Sequence, residues 1–335
     1  MRTFVYLICC CCLSFSLWAQ EQHSAFYSLE SPEKAFERAK ALNKPLFLEA
    51  MMPSCGHCQA FDETFKKPSI IQYLKKEFAA HQLDVSKKEN LLFLRKKNIF
   101  IPSTPTFLVF GPDGELWHIM AANDAYNTED GIKFILNRAL DPKTRFSEVV
   151  KNIQGSNLGP AELAYVAAHT KMSLDTVGNR KALERFMALV PAEKYLSETV
   201  FYLIQKGMLE ENNPIFYAFL DNYDYFSKEF NAQSVKIAAE NQLMFALYDP
   251  AAIDFSDERL KKIKEGLAKI GIEPSSIQQR TLILEVKRNL KLERFEQVKQ
   301  ILLDYYKGKS PAENEKKYWC KLWEKYPKAG ACPLP

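Results

Sequence analysis

The sequence predicts an α/β domain, a mixed central sheet flanked by helices, followed by an all-α domain of helical hairpins. Three observations predict it. The apolar run Pro45-Leu46-Phe47-Leu48-Glu49-Ala50-Met51-Met52 reads as a buried strand and leads almost directly into a helical segment, Gln59 to Phe65. From Ser28 to Pro142 helical and strand-like segments alternate, the order of a mixed sheet covered on both faces. Beyond Asp141-Pro142 the strand-like pattern disappears and amphipathic helical patterns take over.

The elements follow in order. Ser31-Pro32-Glu33 is a helix start: a hydroxyl cap, a proline at the first helical position and an acid in the first turn. Ala35, Phe36, Ala39 and Leu42 then share a face, and Asn43-Lys44 ends the helix before the strand at Pro45. Lys67-Pro68 breaks or kinks the next helical stretch, after which Ile70, Ile71, Leu74 and Phe78 recur at helical spacing. Ala79 to Val85 is a second strand and Asn90 to Lys97 a short helix. Ile101 to Phe110 is a turn feeding a strand. Gly111-Pro112-Asp113-Gly114 is a hairpin turn, Glu115 to Met120 returns as the partner strand, and Asp130 to Leu140 closes the domain.

Bulk properties narrow the class. With 335 residues the chain exceeds one average domain. At 47% hydrophobic and 26% charged it has a globular composition. Forty-five basic residues stand against 41 acidic ones with no isolated basic block, so nucleic acid is not an expected partner.

Arg2, then an apolar core from Phe4 to Trp18, then Ala19-Gln20 have the pattern of a secretory signal peptide over residues 1–20. The run is shorter than the roughly 20 residues of a spanning helix, which disfavours a retained anchor. Ile8 is not the small residue expected before a lipidated cysteine. The expected organisation is therefore a leader, 1–20, an α/β domain, 21–142, and an all-helical domain, 143–335. Of eight cysteines, Cys9 to Cys12 leave with the leader, so Cys55, Cys58, Cys320 and Cys332 remain in a disulfide-permissive compartment.

Cys55-Gly56-His57-Cys58 stands where the first strand gives way to a helix. Unpaired N–H groups and the macrodipole at a helix N-terminus stabilise a thiolate, so the first thiol is the expected nucleophile; the second, one turn on, is placed to close a disulfide. A zinc site would need two further ligands, and Cys320 and Cys332 do not form a second tight pair, so no metal is expected. His57, between the cysteines, would donate to or attract the Cys55 thiolate and favour the dithiol form; a plain solvated loop residue is the other reading. Glu49 is a carboxyl inside an apolar strand, where burial is costly unless it is paired or protonated. Lys44 and Lys66 are candidate structural partners for it. Trp117 and His118 read as ordinary strand residues.

The strand, the Cys55-Gly56-His57-Cys58 helix start, and Thr104-Pro105 before a strand–Gly-Pro-Asp-Gly–strand hairpin together resemble the thioredoxin superfamily over Ser28 to Pro142. The nearest likeness is to exported bacterial thioredoxin-like proteins with an extra domain. The resemblance implies a central sheet with the dithiol exposed at one end. It implies that Pro105 is a cis-proline facing the dithiol and helping to form a groove for substrate backbone. It also implies that Glu49 lies beneath the second cysteine and accepts its proton. The Cys-Gly-His-Cys sequence is similar to that of protein disulfide isomerases, whereas Met52-Pro53-Ser54 replaces the family's usual aromatic residue before the first cysteine.

In the second half, Gly159-Pro160, Pro191, Asn213-Pro214, Asp249-Pro250 and Pro274 punctuate successive helical patterns, as in antiparallel hairpins. Leu290 to Tyr306 faintly resembles the second helix of a tetratricopeptide repeat, without a clean period. Phe216, Tyr217, Phe219, Tyr223, Tyr225, Phe226 and Phe230 read as helical core in preference to a partner groove. Cys320 and Cys332 read as a disulfide tying the tail to the last helix.

The function expected from these features is an exported thiol–disulfide oxidoreductase of the cell envelope: a reductase, an isomerase or an oxidase. It would use no cofactor beyond its own dithiol, act on protein thiols and disulfides, and exchange electrons with a redox partner. The helical domain would dimerise it or recruit protein partners. The alternative is a binding or assembly protein that works through the helical domain, with the dithiol secondary.

Overall fold

The computed structural model describes residues 24–27, 31–155 and 157–334, so the expected leader lies outside the described residues. Contacts divide the chain into two units, Met1–Leu189 and Val190–Pro335.

The first unit runs α1 (Pro32–Leu42), β1 (Leu46–Met51), α2 (Gly56–Phe65), α3 (Pro68–Glu77), β2 (Ala79–Asp84), α4 (Lys88–Lys96), β3 (Thr106–Phe110), β4 (Leu116–Ala121) and α5 (Glu129–Leu140). Three more helices follow, α6 (Phe146–Lys151), α7 (Pro160–Met172) and α8 (Thr176–Leu189). Ser31 caps α1 by accepting from the Lys34 N–H, with Pro32 in the first turn. Lys67-Pro68 separates α2 from α3 because proline cannot donate to the preceding turn.

The sheet order is β2-β1-β3-β4, with β1 parallel to β2 and the other pairs antiparallel. The parallel pair requires a crossover, which α2 and α3 supply. The β3–β4 hairpin closes at Gly114, whose φ of 83° suits glycine.

Strand alternation sorts the core into two layers. Phe47, Phe107, Val109 and Met120 join Phe61, Phe65, Ile70, Leu74, Ile132 and Leu136 in one cluster with α2, α3 and α5. On the other face the Phe36 ring of α1 meets Phe110 and Phe93. Each such fully buried side chain contributes about 1.5–3 kcal/mol from leaving water. The mixed sheet flanked by helices is thus the α/β domain that the sequence predicts.

The compositional change at 142 and the contact boundary at 189 are different boundaries. The α/β pattern does end with α5, but α6 and α7 pack on β4, and α7 packs closely on α8. Amphipathic pattern cannot tell a helix that docks on a sheet from one that founds a separate domain.

That docking buries two histidines. His118 of β4 and His169 of α7 have ring centroids 5.2 Å apart, with Phe146 of α6 and Tyr165 of α7 against His169. The Tyr165 carbonyl satisfies His169 Nδ1 at 2.6 Å, whereas His169 Nε2 and both His118 nitrogens have no partner among the described residues. Burial, with the Arg138 charge of α5 nearby, pushes His169 down to about 3 and His118 well below its ordinary value. His118 is therefore a strand residue, as expected from sequence, but a neutral and costly one. Trp117 beside it stacks under Arg145, whose guanidinium carbon lies 3.6 Å from the ring centroid.

The second unit is helical among its described residues. It includes α9 (Glu198–Tyr202), α10 (Pro214–Asp221), α11 (Tyr223–Glu229), α12 (Ala232–Tyr248), α13 (Asp257–Lys269), α14 (Pro274–Lys291), α15 (Phe295–Tyr305) and α16 (Glu313–Trp323). Phe216, Phe219 and Phe226 are fully buried, as a helical core requires, whereas Tyr217, Tyr223 and Phe230 are half-buried and Tyr225 is exposed. Leu290 to Tyr306 is the end of α14, a turn at Glu293 with φ 54°, and α15, packed as a hairpin. Glu211 is buried and held by Arg259 through two hydrogen bonds of 2.7 and 2.9 Å, the fork geometry that makes a buried carboxylate tolerable. Cys320 of α16 is bonded to Cys332, with Cα atoms 5.2 Å apart, and Trp323 Nε1 donates to the Gly330 carbonyl at 2.9 Å.

The buried histidine pair carries a prediction about pH. In the unfolded chain both imidazoles titrate near 6.5. Above that pH both states are neutral. Below it the unfolded chain binds protons that the folded chain refuses until about pH 3 at His169, so stability falls as pH falls through that window. The slope is about 1.4 kcal/mol per pH unit for each histidine. Urea unfolding of the His118→Leu/His169→Phe variant is expected to lose less stability than the parent between pH 6.5 and 4.5; equal losses would contradict the account.

Candidate active site

β1 ends at Met51 and the chain turns through Met52-Pro53-Ser54, with the Cys55 N–H donating to the Met52 carbonyl at 3.0 Å. Cys55 is itself the N-cap of α2: its backbone is extended, φ −84° and ψ 114°, and its Sγ accepts from the Cys58 N–H at 3.3 Å. A sulfur thus takes the place that a Ser or Asp oxygen takes at other helix starts. The helix leaves its first N–H groups unpaired and directs its positive end at that sulfur. Gly56 opens the helix, and a Cβ there would meet nothing within 4 Å, so the approach beside Cys55 is open.

The two sulfurs differ in environment. Cys55 is half-buried, whereas Cys58 is fully buried on the inner face of α2. At Cys55, burial opposes ionisation, but hydrogen bonds from the Cys58 thiol, the Thr104 side chain and the Cys58 and His57 backbone outweigh it and hold the thiol below its ordinary value. At Cys58, burial and the hydrogen bond with Cys55 push the thiol up to about 11. Of the two thiols, the outer one therefore gives up its proton first.

Thr104 and Pro105 face Cys55. Cys55 Sγ lies 3.5 Å from the Thr104 carbonyl oxygen, and the Thr104-Pro105 peptide bond is cis. Pro105 is buried and its carbonyl accepts from the Ala122 N–H at 3.0 Å, anchoring the segment to the end of β4.

His57 points away from the interior. Its Nδ1 meets Asp124 Oδ1 at 2.8 Å, both side chains mostly exposed, and this hydrogen bond raises the imidazole above its ordinary value. Asp124 opens the turn Asp124–Tyr126 after β4. Gly131 lets that turn close on α5: a Cβ at Gly131 would lie 2.6 Å from the Tyr126 carbonyl oxygen.

Glu49 is fully buried and is not paired with lysine. Lys44 donates to the Lys75 carbonyl and Lys66 to Glu63, so the lysine partners considered from sequence are engaged elsewhere. Glu49 Oε2 accepts instead from Gln82 Nε2 at 2.9 Å, and Gln82 Nε2 donates also to Asp62 at 2.7 Å. Burial is the main cause that pushes Glu49 up to about 8, with the charges of Asp62 and Cys55 adding to it.

The structure thus gathers Cys55, Cys58, His57, Thr104 and Pro105 at one end of the sheet, with the buried Glu49 near enough for the Cys55 charge to act on it. Cys320 and Cys332 belong to the second unit. Among the described residues, no group of three or more His, Cys, Asp or Glu is arranged to hold a metal ion. Asp124, Gln82 and Asp62 were not expected from sequence. Gln82 did carry a signal, as a polar residue on the inward parity of a short apolar strand, and Asp62 stands one helical turn after Cys58. Asp124 carried none.

Residues 27–112 match the model of a family described as Thioredoxin-like. The first unit therefore contains a thioredoxin-like domain over these residues. Among solved structures, the chain is similar to the solution structure of a Bacteroides thetaiotaomicron protein proposed to be a disulphide isomerase, at 26% identity over 34% of this chain and 93% of that one, with a TM-score of 0.29. It is also similar to a DsbH oxidoreductase, at 15% identity over 34% of this chain and 88% of that one, with a TM-score of 0.28. No curated protein matches.

The His57–Asp124 contact is testable by NMR. Asp124→Asn is expected to lower the pH at which the His57 ring protons titrate, and Gly131→Ala, which displaces the turn, is expected to act in the same direction. An unchanged His57 titration in both variants would contradict the pairing.

Proposed function

We propose that this chain is an exported thiol–disulfide oxidoreductase that acts on protein disulfides through Cys55 and Cys58. One observation carries the reading: Cys55 caps α2 with its own sulfur while Cys58 is buried behind it. The outer thiolate attacks a substrate disulfide, forming a Cys55–substrate bond and releasing one substrate thiolate. Cys58, once deprotonated, attacks Cys55 Sγ, closes the Cys55–Cys58 disulfide and releases the second. Two electrons pass from the dithiol to the substrate, and the reverse sequence oxidises a substrate dithiol.

Supporting residues have separate tasks in this reading. Thr104 and Pro105 lie against the nucleophile and present backbone to the substrate chain. Glu49 takes the Cys58 proton. His57 lends positive charge near the Cys55 thiolate, with Asp124 holding the ring. A stabilised thiolate favours the dithiol form and makes the disulfide the better oxidant, which supports disulfide transfer or isomerisation over general reduction. The chemistry needs no cofactor beyond the dithiol, and a redox partner resets it.

The leader pattern over residues 1–20 supports export to the periplasm or cell envelope, and the Cys320–Cys332 bond suits an oxidising compartment. No helix among the described residues is long and apolar enough to cross a membrane. The helical unit would supply dimerisation or a docking surface for protein partners.

The Cys58→Ser variant, expressed in cells and quenched with acid, is expected to accumulate mixed disulfides through Cys55 that reductant dissolves. The Cys55→Ser variant is expected to accumulate none. Absence of adducts in Cys58→Ser would overturn the reading.

A further inference from the structure

Glu49 sits in an unusual arrangement for a buried acid. Two residues after Phe47 in β1, it shares the sheet face of that ring, which packs on Phe65 of α2 and on Phe107, so its carboxyl lies on the α2 side. Gln82 stands opposite Glu49 in the β1–β2 register. A single nitrogen, Gln82 Nε2, donates to Glu49 Oε2 at 2.9 Å and to Asp62 Oδ1 at 2.7 Å. An amide nitrogen has two hydrogens, and both are spent. Asp62 is one turn past Cys58 on α2, on the same helix face. Glu49 Oε1 is buried with no hydrogen-bond partner among the described residues.

The groups facing Glu49 are few. From the start of α2 comes Cys55 and from its second turn Asp62; from β2 comes Gln82; and from β3 comes Phe107, its register partner. No cation is among them. Burial sets the main shift at Glu49, and two opposing influences then adjust where it holds its proton. The Asp62 charge favours keeping it, because like charges resist a second ionisation. The Gln82 hydrogen bond favours releasing it, because a donor stabilises the carboxylate.

We propose that Gln82 and Asp62 are positioning residues that poise Glu49 as the proton carrier for closure of the Cys55–Cys58 disulfide. This rests on the reading of Glu49 given above. In the closing step, ionised Glu49 takes the Cys58 proton on its free Oε1 and Cys58 attacks Cys55 Sγ. The bond from Cys55 to its substrate breaks, and the substrate leaves as thiolate. Asp62 never touches the reacting atoms; its charge opposes ionisation of Glu49, while the amide they share favours it.

Glutathione disulfide serves as the probe oxidant, so no protein substrate is needed. With the full mature chain, reduced protein is mixed with glutathione disulfide across pH 5–10 and acid-quenched. The Cys55–glutathione intermediate is followed by mass as it closes, and Glu49 ionisation is read in parallel from its carboxyl carbon by 13C NMR. Asp62→Asn is expected to move both midpoints to lower pH, and Gln82→Met to higher pH, each by on the order of one unit. Glu49→Gln is expected to remove that limb of the closure profile. Opposite shifts are a signature that a merely structural role would not give. Should Gln82→Met not fold, the downward shift in half-buried Asp62→Asn decides alone. Unchanged midpoints, shifts of the same sign, or an NMR shift that the closure profile does not follow would each overturn the proposal. Opposite shifts with glutathione, together with failure to trap protein adducts in cells, would overturn the substrate reading and leave the bridge standing.

Discussion

The unpaired N–H groups at the start of α2 are the constraint on which the site depends. β1 brings the chain up through the sheet and stops at Met51, and the turn to Cys55 leaves that residue outside the helix with its sulfur over the first N–H groups. Helix geometry then carries Cys58 under the first turn, into the core beside Phe61 and Phe65. One sulfur meets a positive helix end and the other is buried, so their proton affinities separate. The sheet, the β3–β4 hairpin and α5 matter chiefly because they hold Thr104-Pro105 and the Asp124 turn against that helix start.

The interior of the site works by the same logic of opposed environments. Glu49 is ionisable but fully buried, so burial holds its proton to about pH 8, and the proposed role has it exchange that proton with the dithiol. In the proposed arrangement Gln82 and Asp62 adjust the point at which it lets go. The outer surface is governed differently: His57 and Asp124 are exposed, and solvent screens their interaction. Changes inside should therefore alter proton transfer, and changes outside chiefly the electrostatics that a substrate meets.

Most of the fold's first half was legible because its signals are local. A proline after serine started α1, a Gly-Pro-Asp-Gly turn closed the hairpin, and alternation named the strands. The cysteines and Glu49 were legible because they violate their surroundings: thiols at a helix start and a carboxyl in an apolar strand. Asp124 was not legible, since nothing in Asn123-Asp124-Ala125 distinguishes it from any surface turn until the fold brings it to His57. Lys44 and Lys66 were reasonable partners for Glu49 by charge alone, yet each found a nearer acceptor. The docking of α6 and α7 on β4 was hidden for another reason, because an apolar helix face does not record which surface it covers. The buried His118–His169 pair went with it.

The central claim is that the fold separates the two thiols. Reduced protein treated with limiting iodoacetamide across pH 4–10, with adducts mapped to each cysteine by mass, measures this directly. Cys55 is expected to react with a midpoint below the roughly 8.5 of an ordinary thiol, and Cys58 to remain silent up to about pH 9. Equal reactivity of the two, or a Cys55 midpoint at or above the ordinary value, would contradict the account.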